Sequence, residues 1–211
     1  MLKILYEDNH IIVAYKPKGV LSQADGSDKA DMLTIIKDYI KEKYNKPGNV
    51  YLGLVHRLDI NTDGVMVFAK TSKAAARLSE DIKNHSFIKK YKATVHGILN
   101  NKDFITLKSY LKKDDKQRKS FIKEGGVEAI LEYRALKSYK IGNDDVTDIE
   151  IILHTGRFHQ IRCQMASINH PLYMDNKYGS KVKNPMNNIP LQAYSLSFTH
   201  PTTKEYLTFT I

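Results

Sequence analysis

The order of the apolar segments is the feature that most constrains the fold of this chain. Short apolar runs that suit strands, such as Val65 to Lys70, recur along the sequence, whereas helical spacing of apolar residues occurs only a few times. No regular alternation of one strand with one helix follows, which disfavours a doubly wound parallel sheet. The pattern predicts an α+β fold in a single domain over residues 1–211.

The individual elements follow from periodicity, turn residues and helix caps. The predicted strands are Leu2 to Asn9 and His10 to Lys16, paired through an Asp8-Asn9 turn, then Val65 to Lys70, one that starts at Ala93, short strands between Ile105 and Ala135, Ile149 to His154 after a turn at 141–144, Leu191 to Phe198 and Glu205 to Thr210. The predicted helices have their apolar faces at Leu33, Ile36, Ile40 and Tyr44, at Ala75, Leu78 and Ile82 behind a Thr71-Ser72 cap, and within Phe158 to Ile168. Asn184 to Pro190 is predicted as a loop.

Composition narrows the class of protein. Of 211 residues 42% are hydrophobic, enough for a folded core, and no stretch reaches the roughly 18 apolar residues of a membrane span. The N-terminus has no export signal, and one cysteine, Cys163, precludes an internal disulfide, so a cytoplasmic protein is expected. The formal charge of +10, from 33 basic and 23 acidic residues, favours encounter with nucleic acid.

The segment from Val55 to Lys70 carries the clearest chemical signal. It places Asp59 two residues after Arg57, in a turn-prone stretch that leads into an apolar strand. A carboxylate that a cation keeps ionised is a suitable nucleophile, although an ordinary structural ion pair also fits this spacing. Asp63 is a second carboxylate nearby, but it precedes a glycine, and this pair is typical of a turn.

Four motifs in order resemble those of the RNA pseudouridine synthases of the RluA type. The segment His56-Arg57-Leu58-Asp59 with Thr62-Asp63-Gly64 resembles the family signature. The other three are the Lys-Pro-x-Gly motif from Lys16, the Lys89-Lys90-Tyr91 segment, and Thr155-Gly156-Arg157-Phe158-His159-Gln160-Ile161-Arg162, which continues to His170-Pro171-Leu172 and Asp175-Asn176-Lys177-Tyr178-Gly179. One motif would be weak support, but four in order cover nearly the whole chain.

The resemblance implies three catalytic residues. Asp59 would be the nucleophile, Arg162 its charge partner, and Tyr91 would stack on the target uracil and help move its C5 proton. First attack at ribose C1′, attack at uracil C6 and formation of a glycal all remain open. The isomerisation needs no cofactor, and the chain has neither a phosphate-binding glycine-rich loop nor a dinucleotide fingerprint.

The resemblance and the basic charge together also predict RNA contacts. Arg57 would fill the space that a flipped nucleotide leaves. The predicted RNA-binding residues are His56, Arg57, Lys16, Lys18, Arg157 and His159. Arg157 and His159 contact phosphate or support the site in this interpretation, and Lys16 and Lys18 form a basic lip.

The resemblance further implies a pseudouridine synthase fold, with a large, bent, mostly antiparallel mixed sheet flanked by helices and loops. Only 55 residues precede His56, so we expect no additional RNA-binding domain of the S4 type. The expected partner is a stem-loop of rRNA or tRNA, bound by a monomer without membrane association. The basic run from Lys108 to Lys123 fits a solvated hairpin and a phosphate-contacting arm equally well.

Other functions have less support. A basic RNA-binding protein without catalysis would not need Asp59, Tyr91 and Arg162 together. A methyltransferase or deaminase lacks its cofactor loop or zinc pattern. His154, His159, Cys163, His170 and His200 are of the metal-ligand type, but without a Cys-x-x-Cys motif no metal site is predicted.

Overall fold

A computed structural model describes residues 2–186 and 188–211, in which eleven strands form a large mixed sheet accompanied by three α-helices. The strands are β1 (Lys3–Glu7), β2 (Ile11–Lys16), β3 (Gly53–Leu54), β4 (Asp63–Ala69), β5 (Ile88–His96), β6 (Ile105–Asp114), β7 (Lys119–Ile122), β8 (Val127–Ile141), β9 (Asp144–Leu153), β10 (Leu191–Thr199) and β11 (Tyr206–Thr210). The helices are α1 (Met32–Lys43), α2 (Ser72–Lys83) and α3 (Gln160–Ser167). The predicted α+β class is confirmed.

The internal contacts of the chain divide it into two compact units. The first contains Met1–Ile88 and Ala193–Ile211, and the second contains Lys89–Gln192. The assignment of all 211 residues to a single domain stays a prediction. Within the described residues, no helix is both long enough and apolar enough to cross a membrane.

The first unit orders its strands β1-β2-β4-β10, with β11 beside β10 and β3 beside β4. The predicted β1–β2 pair is confirmed, and the carboxylate of Asp8 shapes its turn by accepting from the backbone N–H groups of His10 and Ile11 at 2.7 and 2.8 Å. All seven residues of β4 are buried, and the buried strand predicted from the apolar run at Val65 is confirmed. The strand begins two residues earlier than predicted, at Asp63, and ends at Ala69, one residue before Lys70. Its Val65 and Val67 share a core with residues of α2, β10 and β11.

Gly64 is required where β4 passes β10. Its φ of +143° lies outside the range that residues with a side chain favour. A Cβ atom at this position would also collide with the backbone oxygen of Ala193 and lie 2.6 Å from its Cβ. The Asp63-Gly64 pair therefore opens a strand and permits a close approach of two backbones, where the sequence had suggested a turn.

The two helices of the first unit begin at side-chain caps. The carboxylate of Asp31 accepts from the Thr34 N–H at 3.1 Å, and the Thr71 hydroxyl accepts from the Ala74 N–H at the same distance. Each bond satisfies one of the N–H groups that a helix leaves without an internal partner. The predicted helices and the Thr71 cap are confirmed. Tyr44, which was predicted on the apolar face of the first helix, instead follows the last residue of α1 and is exposed.

Glu7 joins β1 to α1 and to the residue that follows β4. Its carboxylate accepts from Lys43 and Lys70 at 2.7 Å, from Tyr44 at 2.9 Å and from Tyr39 at 3.0 Å. Burial alone would raise the pKa of Glu7, but these four hydrogen bonds outweigh it and lower that pKa to about 2. Glu7 therefore stabilises the fold in its ionised form.

The depressed pKa of Glu7 predicts a specific loss of stability in acid. A carboxylate whose folded pKa lies below its unfolded value of 4.5 stabilises above pH 4.5, and this stabilisation is lost as the pH falls toward 2. We expect the unfolding free energy of the wild type to decrease across this window by about 2 kcal/mol more than that of Glu7→Gln. Urea unfolding at several pH values measures this difference, and parallel curves for the two proteins would contradict it.

The second unit orders its strands β5-β9-β8-β6-β7, all antiparallel. The expectation of short strands between Ile105 and Ala135 was wrong, because β6 has 10 residues and β8 has 15. Strands β5 and β9 also begin earlier than predicted, at Ile88 and Asp144. The charged residues of β6 and β8 are half-buried or exposed, where they do not interrupt backbone pairing.

Helix α3 begins later than predicted because His159 has a left-handed backbone, with φ at 51°, which ends any helical continuation toward Phe158.

The basic run from Lys108 to Lys123 forms the β6–β7 hairpin. Its Lys108 forms an ion pair of 2.6 Å with Glu128 of β8. Contact of this hairpin with phosphate stays a prediction. The predicted loop at 184–190 has no helix or strand in its described residues, and Asn187 lies outside them.

Candidate functional site

The loop that carries Asp59 joins β3 to β4 and comprises residues 55–62, here called the Asp59 loop. It has no regular structure apart from a turn at 60–61. Leu58 is buried, Asp59 is half-buried and Arg57 is exposed. Burial of Leu58 anchors the middle of the loop, so Asp59 and Arg57 occupy different environments although they are close in sequence.

Ser22 fixes the backbone on the N-terminal side of Asp59. Its buried hydroxyl donates to the Leu58 carbonyl at 2.9 Å and accepts from the Leu58 N–H at 3.1 Å. On the other side, the Thr62 N–H donates to the Asp59 carbonyl at 3.0 Å and the Gly19 N–H to the Ile60 carbonyl at 2.8 Å. The backbone of Asp59 is thus held from both directions, which positions its carboxylate before any substrate binds.

Lys16 is a cation of the protein interior in the same unit. Its side chain is fully buried, and its ammonium donates to the carbonyls of Val20, Pro17 and Ile60 at 2.7, 3.1 and 3.3 Å. Burial lowers the pKa of Lys16 to about 8, and the nearby carboxylates of Asp59 and Asp63 oppose that shift. Lys16 therefore supplies positive charge to the surroundings of Asp59 and braces its loop.

This placement differs from the predicted role of Lys16 in RNA contact. A fully buried ammonium that bonds three backbone carbonyls does not reach a phosphate outside the protein. Lys18 is half-buried, with its ammonium 3.6 Å from Asp63, and its RNA contact stays a prediction.

His56 and Asp63 both bond to neighbouring strands. The Nε2 atom of His56 accepts from the Val67 N–H at 3.1 Å, which ties the Asp59 loop to β4. The carboxylate of Asp63 is buried and accepts from the Tyr15 hydroxyl at 2.9 Å. Burial, with the Asp63 carboxylate next in importance, raises the pKa of Tyr15 to about 12. These bonds agree with a structural role for Asp63, and RNA contact by His56 and Arg57 stays a prediction.

Tyr91 lies on β5 of the second unit and is buried. Strand register places it on one sheet face with its direct partner Ile151 and, one strand further, Tyr133. Ser109 of β6 shares this face, and the Gln164 amide of α3 donates to the Ser109 hydroxyl at 2.9 Å. Helix α3, which carries Arg162, therefore covers the same face of the sheet as Tyr91.

Arg162 is held in a buried, bidentate ion pair. Its Nε and Nη2 atoms donate to the two oxygens of Asp175 at 2.7 and 2.8 Å, and the two side chains are only 5% and 1% exposed. Its guanidinium also lies 5.0 Å from the ring centre of Tyr178. The sequence indicated Asp59 as the charge partner of Arg162. Asp175 is a partner that this interpretation missed, although it occurs in the last motif, and a contact with Asp59 stays a prediction.

His159 completes the support of Arg162. Its Nε2 atom lies 2.8 Å from Nη1 of Arg162 and must accept, because a guanidinium only donates. Its Nδ1 then carries the proton and donates to the Tyr178 hydroxyl at 3.1 Å. Burial and, next, the charge of Arg162 lower the pKa of His159 to about 3, so this ring stays neutral at physiological pH. His159 supports the site in this way, and its contact with phosphate stays a prediction.

A buried glutamine shapes the turn before α3. The side-chain oxygen of Gln160 accepts from the Thr155 hydroxyl at 2.8 Å and from the Arg157 N–H at 3.0 Å. Its amide nitrogen donates to the Ile130 carbonyl at 3.2 Å. Arg157 itself is exposed, and its Nε donates to the Glu128 carbonyl at 2.9 Å. The turn is rigid at its base and presents Arg157 to solvent.

The structure thus brings Tyr91 and Arg162 to one face of one unit. Asp59 belongs to the other unit, together with Lys16 and the exposed Arg57. The joint action of Asp59, Tyr91 and Arg162 on one substrate stays a prediction.

Comparison with known proteins supplies independent information. The family model described as RNA pseudouridylate synthase matches residues 10–167. Among curated proteins, an uncharacterized RNA pseudouridine synthase of Aquifex aeolicus (strain VF5) is 35% identical over 100% of this chain and 69% of its own length. The ribosomal large subunit pseudouridine synthase C of Buchnera aphidicola subsp. Baizongia pistaciae is 34% identical over 98% of this chain and 65% of its own length.

A solved structure has a similar fold. Human RNA Pseudouridylate Synthase Domain Containing 1 superposes with a TM-score of 0.77 and 21% identity, over 100% of this chain and 83% of that one. At this identity the likeness concerns the fold alone. The two curated relatives extend beyond the region that they share with this chain, which spans about two thirds of their length.

Proposed function

The chain belongs to the RNA pseudouridylate synthase family and is an isomerase that acts on RNA, and on that premise we propose that Asp59 is its nucleophile, with Tyr91 and Arg162 acting on the same uridine. The observation that carries this proposal is the family match over residues 10–167, which contains all three residues. The fixed backbone around Asp59 and the adjacent charge of Lys16 support it, since a nucleophilic carboxylate must be ionised and held in place.

The proposed reaction is an internal rearrangement. The N1–C1′ bond of uridine breaks, the uracil turns, and its C5 joins C1′; the C5 proton is lost and N1 gains one, so no cofactor or outside group is consumed. A uridine within a helix must leave the stack before its C1′ and ring are accessible, which requires base flipping. Exposed Arg57 would occupy the space left behind, and Arg157 and Lys18 would contact phosphates.

Arg162 acts as a fixed positive charge in this proposal. Three of its five N–H groups are engaged by Asp175 and His159, which set the plane and direction of the guanidinium. Because His159 is neutral, it orients Arg162 without adding a competing positive charge. A guanidinium aligned in this way stabilises the carboxylate of Asp59 and the negative charge that develops on the uracil.

We assign the substrate to large-subunit ribosomal RNA, since several curated relatives bear that name, with transfer RNA as the alternative. The basic charge of the chain fits either RNA. A monomer in the cytoplasm suffices for this function. The one cysteine, Cys163, is free and buried.

Mapping of pseudouridines in total RNA tests this proposal. Cells without this protein are expected to lose one or a few pseudouridines, and purified protein is expected to restore them on ribosomal or transfer RNA transcripts. Protein that carries Asp59→Asn is the control and restores none. Loss of no pseudouridine in cells, together with no turnover on either class of transcript, would favour an RNA-binding protein without catalysis.

Replacement of Tyr91 by Phe separates stacking from hydroxyl chemistry. The Phe ring still stacks on a base, so RNA affinity is expected to change by less than about twofold. A positioned proton-transfer group contributes roughly 10²- to 10⁴-fold, so turnover is expected to fall by that factor. Single-turnover kinetics with saturating enzyme measures this step, and full activity of Tyr91→Phe would exclude any necessary use of the hydroxyl.

A further inference from the structure

Lys89 is a half-buried cation whose ammonium bonds to none of the residues that the structure describes. It lies two residues before Tyr91 on β5, so the two side chains share a sheet face, about 7 Å apart along the strand. Its Nζ atom is 3.9 Å from the position that a Cβ of Gly156 would occupy. The missing side chain of Gly156 therefore leaves open space beside this ammonium.

Arg157 brings a second positive charge to the same place. Burial lowers the pKa of Lys89, and the charge of Arg157 lowers it further. Among residues 2–186 and 188–211 no carboxylate forms an ion pair with either Lys89 or Arg157. Arg157 donates through Nε to the Glu128 carbonyl, which orients its guanidinium but does not neutralise it.

Two adjacent cations without a counter-charge are costly for a protein to maintain. Charges that are removed from water are normally paired, and a like charge nearby adds repulsion. The arrangement becomes favourable when an anion enters beside Gly156, because one anion then pairs with both cations. Phosphate is an anion that can pair with both cations, since it offers several acceptor oxygens to a guanidinium and an ammonium together.

We propose that Lys89, Gly156 and Arg157 form a phosphate seat that holds the RNA backbone at the nucleotide whose base reaches Tyr91. That the bound phosphate belongs to RNA rests on the proposed function. The spacing along β5 is one that a single nucleotide bridges between its phosphate and its base. Lys89 is then a positioning residue, which fixes the phosphate while Tyr91 receives the uracil.

The first test needs no turnover. Uridine 5′-monophosphate and uridine serve as probes, and the side-chain NMR signal of Lys89 is followed in protein with isotope-labelled lysine. We expect the monophosphate to shift the Lys89 signal and raise the pKa of its ammonium, while uridine at equal concentration does neither. Equal responses to the two probes, or a response spread over surface lysines in general, would overturn the seat.

The second test uses RNA and a matched control. Lys89→Met keeps the aliphatic stem and removes the charge, and Lys90→Met makes the same change on the opposite face of β5. We expect Lys89→Met to weaken transcript binding about tenfold and to reduce the slope of log affinity against log salt by about 0.7 to 1, whereas Lys90→Met does neither. Lys89→Arg should restore most of the affinity.

The outcomes separate this seat from the function itself. Equal losses in Lys89→Met and Lys90→Met would mean general electrostatic attraction and would overturn the seat, even with pseudouridine formation intact. A wild type that forms no pseudouridine but shows the monophosphate-specific shift would refute the function and support the seat. Unfolding by urea completes the comparison, because removal of an unpaired, half-buried cation should not lower the stability of Lys89→Met.

Discussion

Asp59→Asn is expected to lower the rate of pseudouridine formation by at least about a thousandfold while RNA affinity is retained. The amide has nearly the shape of the carboxylate, so the Asp59 loop keeps its bonds to Ser22 and Gly19, but it lacks the charge and nucleophilicity that the reaction needs. Single-turnover assays on the substrate RNA, with a binding titration in parallel, measure both quantities.

Asp63→Asn is the matched control for this variant. Asp63 is four residues further along, buried, and bonded to Tyr15, so its change is expected to reduce stability while folded protein keeps its turnover within about tenfold. If Asp59→Asn kept more than a tenth of the wild-type rate, or if Asp63→Asn abolished it, the assignment of the nucleophile would be wrong.

Asp175→Ala is expected to lower the unfolding free energy by about 3–5 kcal/mol. The change leaves the guanidinium of Arg162 buried without the carboxylate that accepts two of its hydrogen bonds, and a buried charge without its partner is strongly destabilising. Urea unfolding, followed by far-ultraviolet circular dichroism, gives the free energy directly.

A double variant distinguishes the loss of an ion pair from the loss of packing. Arg162→Met with Asp175→Leu removes both charges and keeps apolar volume, so it is expected to be more stable than Asp175→Ala alone. It should nevertheless have no activity, because the proposed function needs the charge of Arg162. A stability loss below about 1 kcal/mol for Asp175→Ala would show that other contacts hold Arg162 in place.

The sequence predicted best where the signal is local. The apolar run that became β4, the Asp8 turn and the Thr71 cap all depend on neighbouring residues, and each is present in the structure. The length of β8 was missed because its pairing with β6 and β9 extends through residues whose own pattern is mixed. Backbone pairing over such a distance is decided by the neighbouring strands.

The hydrogen bonds that hold the candidate site residues in place were also missed, because they join residues that are distant in sequence. Lysine is usually a surface residue, so the interior position of Lys16 was not predicted. Two of its three carbonyl partners, Pro17 and Val20, are close in sequence, but the third, Ile60, is 44 residues away. The bonds of Ser22 to Leu58 span 36 residues, and those of Arg162 to Asp175 span 13. A motif names the residues that resemble a reactive group, but only the folded chain shows which others hold them.

The bonds between Ser22 and Leu58 and between Lys16 and Ile60 also bear on protein engineering. The Asp59 loop has little regular structure of its own, and hydrogen bonds from the segment at residues 16–22 hold it in its conformation. A designer who grafts the loop onto another scaffold must therefore transplant both segments as one cassette. Likewise, a mutant library that randomises residues 16–22 alone will in effect sample the geometry of Asp59, without altering a single residue of its loop.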